Sequence, residues 1–359
     1  MKKQDIVICS PQYGLKPNSD AGGEVYDEKI LKGLADKGVK VEIILPYGKE
    51  YDQNQKNWFV HHIKIPFIHY SYLFNLAIIL QLISIYKKTH FKILRIHSPY
   101  YVGIGAWIFK NVFAKEVKLV TTYFHFEDKI VFNLIDRMFI NKWDHIITSS
   151  QTTAQQIKTD YKIKKEKISI IYPGIDQPEP IAVKRQNEIS FCGKLIKRKN
   201  VNFLIELMRE LKNDGIKLNI IGNGPLKNKL GYKIKKLGLE NNIFILSNLK
   251  NKEKDQAIRQ SKIFVFPSLM EGFGLAPLEA MALGVPVVAS DRGALPETVG
   301  EGGIVIPLDK NLWAREIKNI IRNPQLAKKL SEQGKNWVKK FTWEEAISKI
   351  IELTKRNEN

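Results

Sequence analysis

The sequence predicts two doubly wound α/β domains in tandem, and three observations predict it. The chain has 359 residues, more than one hydrophobic core usually organises. Short apolar runs alternate with longer helical segments along the whole length, the pattern of buried parallel strands joined by crossover helices. That pattern restarts once, after Gln177-Pro178-Glu179-Pro180 to Gln186, whose composition suits a linker. The expected boundaries are 1–172 for the first domain and 173–341 for the second, with a terminal helix over about 342–357.

In the first domain, Ile6 to Cys9 reads as a buried strand. Ala21-Gly22-Gly23 then leads into a helix from about Glu24 to Lys37, closed by Gly38, and Val39 to Leu45 is the next strand. No Gly-x-Gly-x-x-Gly follows the first strand, so this is no dinucleotide fingerprint. The pair Gly22-Gly23 is either a tight turn or a place where backbone approaches a phosphate. Ile63 to Phe67 is a short strand. Tyr70 to Tyr86, YSYLFNLAIILQLISIY, is uncharged and apolar, yet too short and too interrupted by Ser, Asn and Gln for a membrane span. Its apolar residues fall on all sides, so the helix is buried or touches lipid along one side. Lys87, Lys88, Lys92 and Arg95 follow, which suits either anionic headgroups or a helix C-terminus.

Ile93 to His97 and Lys118 to Thr122 are strands, the second leading into Tyr-Phe-His-Phe-Glu-Asp. Strand carboxyl ends line the ligand crevice of such sheets, so His97 and His125 are candidates to face a ligand, with a structural role as the alternative for each. Asp144 to Ser149 is a strand, Ser150 caps a helix over Gln151 to Tyr161, and Ile168 to Tyr172 is the last strand before Pro173-Gly174-Ile175-Asp176.

The second domain opens with the strand Glu188 to Cys192 and the basic loop Gly193-Lys194-Leu195-Ile196-Lys197-Arg198-Lys199-Asn200, then a helix over Val201 to Leu211. The loop either offers ammonium and helix N–H groups to a diphosphate or is a solvated turn. Leu218 to Ile221 is a strand ending in Gly222-Asn223-Gly224-Pro225, and Leu226 to Leu237 is a basic helix. The strand Ile243 to Leu246 runs into Ser247-Asn248-Leu249, and Lys252 to Ser261 is a helix. The most informative stretch is Ile263 to Gly284, IFVFPSLMEGFGLAPLEAMALG. Here a buried strand ends at Pro267, a loop holds Gly272 and Gly274, and Pro277 is placed to open a helix that Gly284 closes. Strand, glycine loop and helix N-terminus together form an anion site. Glu271 and Glu279 flank it, where acidic groups suit sugar hydroxyls better than phosphate; the plain alternative for Glu279 is a partner for the helix dipole.

The spacing of Glu271-Gly-Phe-Gly-Leu-x-Pro-Leu-Glu279-Ala-Met-Ala resembles the Glu-x7-Glu signature of the retaining glycosyltransferases of family 4 (glycosyl transferases group 1). The resemblance implies the GT-B fold, in which two Rossmann-like domains face a cleft and a terminal helix crosses back onto the first. The first domain then takes the acceptor and the second the nucleotide-sugar donor. It further implies that Glu271 faces the sugar and Glu279 the ribose. The basic loop resembles Gly-Arg-Leu-x-x-x-Lys-Gly, whose cations neutralise the donor phosphates. Lys194 stands at the arginine position and loses its fork, and Lys199 matches directly. Gly222 to Pro225 resembles the Gly-x-Gly-Pro turn near the donor, and Ser247 and Leu249 lie where the base is read by backbone groups. Gly22 and Gly23 match a glycine pair facing the diphosphate. His125 matches a histidine near the sugar, although its Phe-His-Phe setting departs from the pattern. Pro173 to Asp176 resembles Asn-Gly-Val-Asp apart from its first residue. The implied catalytic set is Glu271, His125, Lys194 and Lys199; Gly22, Gly23, Gly193, Gly222, Gly224, Ser247, Leu249, Gly272, Phe273, Gly274, Leu275 and Glu279 bind the donor.

The implied reaction moves a hexose, with retention, from a UDP- or GDP-sugar to a hydroxyl of a glycan or lipid-linked glycan in cell-surface polysaccharide or glycolipid synthesis. No Asp-x-Asp and no His/Cys cluster occurs, so neither metal nor cofactor is expected beyond the donor itself. The net charge of +20 calls for anionic partners: sugar nucleotides, nucleic acid or an anionic membrane face. Lysines spread over the whole length account for much of it as general surface, and no nucleic-acid module stands out. A glycosyltransferase acting on nucleic acid and a catalytically silent sugar-nucleotide-binding protein are the rival readings. Two cysteines, Cys9 and Cys192, and an N-terminus that enters a strand directly suit a cytoplasmic protein, and Tyr70 to Tyr86 with the lysines after it would place it peripherally on the inner face of the cell membrane.

Overall fold

A computed structural model describes residues 6–13, 15, 22–46, 56–63, 71–97, 99–124, 130–179 and 181–358. The chain divides into two compact units, Met1–Gly174 with Trp343–Asn359, and Ile175–Thr342.

Unit 1 runs β1 (Val7–Pro11), α1 (Gly22–Asp36), β2 (Lys40–Pro46), β3 (Trp58–Ile63), α2 (Ser71–Thr89), β4 (Ile93–Ile96), α3 (Ile104–Phe113), β5 (Lys118–Tyr123), α4 (Ile130–Phe139), β6 (His145–Thr148), α5 (Gln151–Tyr161) and β7 (Ile168–Ile170). The strands form one parallel sheet in the order β3-β2-β1-β4-β5-β6-β7. Successive side chains point to opposite faces, and both faces are covered. Cys9, Ile44, Leu94 and Leu119 pack under Phe74, Ile78 and Leu82 of α2 and Ala106 and Phe109 of α3. Ile8, Ile43, Ile93 and Val120 pack on the other side under Ile30, Leu31 and Leu34 of α1. Burial on both faces is why these strands read as unbroken apolar runs. Ser150 caps α5 as expected, its hydroxyl accepting from the Thr153 N–H at 3.1 Å.

Unit 2 runs β8 (Gln186–Cys192), α6 (Val201–Leu211), β9 (Lys217–Ile221), α7 (Lys227–Lys236), β10 (Ile243–Leu246), α8 (Asn251–Gln260), β11 (Ser261–Phe266), α9 (Leu275–Ala282), β12 (Val287–Ser290), α10 (Leu295–Val299), β13 (Ile304–Ile306), α11 (Lys310–Arg322) and α12 (Pro324–Val338). Its parallel sheet has the order β10-β9-β8-β11-β12-β13. The chain then returns to unit 1 as α13 (Trp343–Glu358), which lays Ala346, Ile347, Ile350 and Leu353 into the core beside α1. Gly33 makes room for it: a Cβ there would come within 2.0 Å of Ile347.

Several boundaries differ from the sequence expectation. α1 starts at Gly22, so the glycine pair forms its first turn. β11 starts at Ser261, where the helix was expected to end. α9 starts at Leu275, which makes Pro277 its third residue; an N–H is still unpaired there, so proline costs no hydrogen bond. The strand expected over 63–67 is displaced to β3, and residues 64–67 lie outside the described set.

Candidate active site

In unit 2, β8 and β11 are neighbours, but the chain leaves β8 toward β9 and leaves β11 toward β12. Where strand order reverses in this way, the loops at the carboxyl ends part and leave a crevice. The two loops there are 193–200 and 267–274, and they meet in a charged cluster around Glu271.

Glu271 is buried, 6% exposed. Its Oε1 accepts from Lys199 Nζ at 2.6 Å and from Ser268 Oγ at 2.6 Å. Its Oε2 accepts from Arg198 Nη1 at 3.0 Å, and the same nitrogen donates to the Met270 carbonyl at 2.7 Å. Lys199 also stands over the Phe266 ring at 4.8 Å, a cation–π contact that holds it inward. Burial alone would push the Glu271 carboxyl up, but Lys199 and Arg198, aided by the Ser268 hydroxyl, hold it below its ordinary value. Burial lowers the Lys199 ammonium, and Arg198 beside it adds to this, against the pull of Glu271. Two cations thus share one carboxylate at the crevice, an excess of positive charge suited to an oxyanion.

Arg198 escaped the sequence reading. Lys197-Arg198-Lys199 is a uniform basic run, and only the three-residue turn it forms sorts it, Lys197 outward and the other two half-buried. Lys194 is exposed, and its carbonyl accepts from the Ile196 N–H at 2.9 Å.

The glycines of this edge have a packing reason. The loops after β8 and β9 run side by side, with Gly193 N–H on the Ile221 carbonyl at 2.9 Å and Leu195 N–H on the Asn223 carbonyl at 2.8 Å. A Cβ on Gly222 would lie 2.1 Å from the Gly193 oxygen, and one on Gly224 would lie 2.6 Å from the Leu195 oxygen. Ser247 ties in the next loop by donating to the Gly222 carbonyl at 2.9 Å, and Leu249 beside it is half-buried. Gly274 caps α9 with a left-handed backbone, φ +103°, and no side chain closes that helix end. Gly272 is buried and Leu275 half-buried; Phe273 is buried against Phe341, ring centres 5.6 Å apart.

Glu279 projects from α9 and accepts from Lys254 Nζ of α8 at 3.0 Å. Burial alone would lower the Lys254 ammonium, and Glu279 raises it above its ordinary value. Cys192, at the end of β8, has its thiol pushed up to about 12, by burial first and by Glu279 second, so it stays protonated.

Unit 1 has its own switch point between β1 and β4. Gly22 and Gly23 open α1 there, and a Cβ on Gly23 would meet His97 Nε2 at 3.4 Å. The other ring nitrogen, Nδ1, lies 2.8 Å from Asp27 Oδ2, and Asp27 Oδ1 lies 2.6 Å from Arg95. Burial would raise the Asp27 carboxyl, but Arg95 and His97 hold it below its ordinary value. Arg95 is therefore no part of a basic surface: it is 1% exposed, an ion-pair partner inside the unit. His125 lies outside the described residues. Among the described residues, no group of three or more His, Cys, Asp or Glu is placed to hold a metal ion.

The chain resembles known proteins along most of its length. Residues 21–177 match the family model described as Glycosyltransferase Family 4, and residues 175–337 match that of Glycosyl transferases group 1. An uncharacterized glycosyltransferase of Methanocaldococcus jannaschii is 28% identical over 341 residues, covering 91% of this chain and 92% of the relative. The O-antigen chain mannosyltransferase RfbU of Salmonella typhimurium is 29% identical over 202 residues, 55% of this chain and 57% of the relative. Among solved structures, sucrose-phosphate synthase from Thermosynechococcus elongatus superposes with a TM-score of 0.85 at 17% identity, covering 98% of each chain. HepE of Anabaena, solved with UDP and glucose, gives 0.79 at 17% identity, over 98% of this chain and 100% of HepE.

Proposed function

The chain belongs to glycosyltransferase family 4 and has the GT-B fold, and from that premise we propose that it moves a hexose from a nucleoside-diphosphate sugar to a hydroxyl acceptor, with retention and without a metal. The observation that carries the proposal is the buried Glu271 with the half-buried Lys199 and Arg198 bonded to it at the switch point of unit 2. In the proposed reaction the bond from the anomeric carbon to the diphosphate breaks, and the acceptor hydroxyl attacks from the same face. The hydroxyl proton passes to the departing phosphate oxygen. The main electrostatic demand is the charge gathering on that leaving group. Lys199 and Arg198 meet it, with the uncapped N-terminus of α9 adding partial positive charge. Glu271 holds both cations in place and accepts from a sugar hydroxyl, and Glu279 accepts from the ribose. Lys194, His125, Gly22 and Gly23 complete the proposed set.

The acceptor is proposed to be a glycan or a lipid-linked glycan. Support comes from the partial matches to an O-antigen chain mannosyltransferase and to an N-acetylgalactosaminyltransferase acting on a diphospho-undecaprenol substrate. The UDP solved with HepE makes uridine nucleotides the donors to try first, with GDP-sugars second. A cytoplasmic location fits a sugar-nucleotide donor and the free thiols of Cys9 and Cys192. Proton NMR of the product formed in excess chelator tests the chemistry. An α-linked donor is expected to give an α-linked product at an undiminished rate. A β-linked product would overturn retention, and a rate lost in chelator and restored by magnesium would overturn metal independence.

A further inference from the structure

Helices α2, α3 and α4 carry an outer surface that holds none of the proposed site residues. They adjoin one another: the Gly105 N–H of α3 donates to Asn75 Oδ1 of α2 at 3.1 Å, and Trp107 of α3 meets Phe139 of α4 with ring centres 5.7 Å apart. α2 turns Phe74, Ile78, Leu82 and Ile85 to the sheet. At 100° per residue, Leu73, Leu76 and Leu80 fall on the opposite side, each more than half exposed and Leu80 77% exposed. α4 repeats the arrangement, with Phe132 and Ile135 buried and Val131, Leu134 and Met138 more than half exposed. Apolar outer faces on two helices that flank α3 are not what an isolated soluble unit presents.

The charges say what covers it. α2 and α3 contain no carboxylate at all, and α4 contains one, Asp136. That one is fully buried and bonded to Tyr100 and Tyr123, both at 2.9 Å. Lys110 of α3 is paired with Asp144, but the cations of α2 and α4 are exposed. Lys87 continues the stripe of Leu76 and Leu80 two turns further along α2, and Arg137 and Lys142 lie at the far end of α4. An apolar centre and a cationic margin complement a lipid headgroup layer of negative charge, and the exposed carboxylate that borders α2, Glu116, is engaged by the Tyr86 hydroxyl. No described helix is long and apolar enough to cross a membrane, so such a face would lie on the bilayer. We infer that the outer face of α2 and α4 docks on an anionic bilayer, its leucines at the acyl boundary and Lys87 at the phosphates. The inference rests on unit 1 alone and stands whether or not the proposed reaction does.

Sedimentation of the full chain with vesicles tests it, using phosphatidylcholine alone and phosphatidylcholine mixed with phosphatidylglycerol. The chain is expected to pellet with the mixed vesicles and far less with the neutral ones. The neutral triple variant Leu76→Gln, Leu80→Gln, Leu134→Gln should melt like the parent, because all three sites are exposed. Its partition onto mixed vesicles should fall roughly tenfold or more. Lys87→Gln should cost about fivefold. An unchanged partition of the triple variant would overturn the inference, since adsorption would then be general attraction by the charge of +20. It would also be overturned by light scattering that shows a dimer in vesicle-free solution which the triple variant converts to monomer, because the face would then meet a second copy.

Discussion

Glu271 and Glu279 are assigned different parts of the donor, and their removal separates the two. With Arg198 and Lys199 bonded to Glu271, its removal frees two cations for the phosphates while removing the contact to the sugar. Glu271→Ala should therefore abolish transfer and weaken binding of the free nucleoside diphosphate only modestly. Glu279→Ala should weaken that binding by roughly one to three kcal/mol, the worth of a charged hydrogen bond. Calorimetric titration decides; the opposite pattern would reverse the two assignments. A second buried carboxylate governs stability against pH. Burial raises Asp136 to about 6 despite the hydroxyls of Tyr123 and Tyr100, whereas an unfolded aspartate titrates near ~4. Folding thus takes up a proton between those values. The stability it contributes is full below ~4 and is lost as the pH rises through about 6. Relative to Asp136→Asn, the parent should lose roughly 2–3 kcal/mol between pH 4 and pH 7 in urea denaturation; a constant difference would contradict the assignment. At this scale the sequence was legible only where spacing spoke. Glu271, Glu279 and Lys199 stand at motif positions. Arg198 hides among like neighbours, Lys254 comes from another helix, and Arg95 looks like surface until Asp27 is seen beside it.

Loops set the edge of unit 2, and their glycines can be tested directly. Gly222 sits at φ +149° with the Gly193 oxygen where a Cβ would go. Gly222→Ala should destabilise the protein by at least about 2 kcal/mol. Gly231 lies within α7 with nothing within 4 Å of an added Cβ, so Gly231→Ala should be neutral or stabilising by up to about 1 kcal/mol. Equal melting shifts for the two would mean that the loops do not need this close approach. Strands were the most legible elements, because a strand buried on both faces must be apolar throughout. Helix starts were less so. α9 begins before its proline because the left-handed Gly274 sets the turn, and a left-handed backbone leaves no mark on sequence beyond the glycine itself. α2 left burial and lipid contact open: one side is buried in the core, and the opposite side is exposed, where lipid contact stands as the proposal made above.

For the whole molecule, the restart of the strand–helix pattern after a Pro-rich stretch announced two units, because each sheet needs its own core. The return of α13 was not legible from its residues, since an apolar stripe shows that a helix packs but not on what; only the family resemblance pointed to unit 1. That return has a temporal side. A ribosome delivers residues 175–342 before it delivers 343–358, so all of unit 2 is available to fold while unit 1 still lacks a helix. Until α13 emerges, the sheet face bearing Ile8, Ile93 and Val120 and the flank of α1 at Gly33 lack the cover that Ile347 and Ile350 provide. The unit encoded first is the one completed last, and for the time it takes to translate the stretch between, the nascent chain carries an unfinished core that it must keep from sticking to its neighbours.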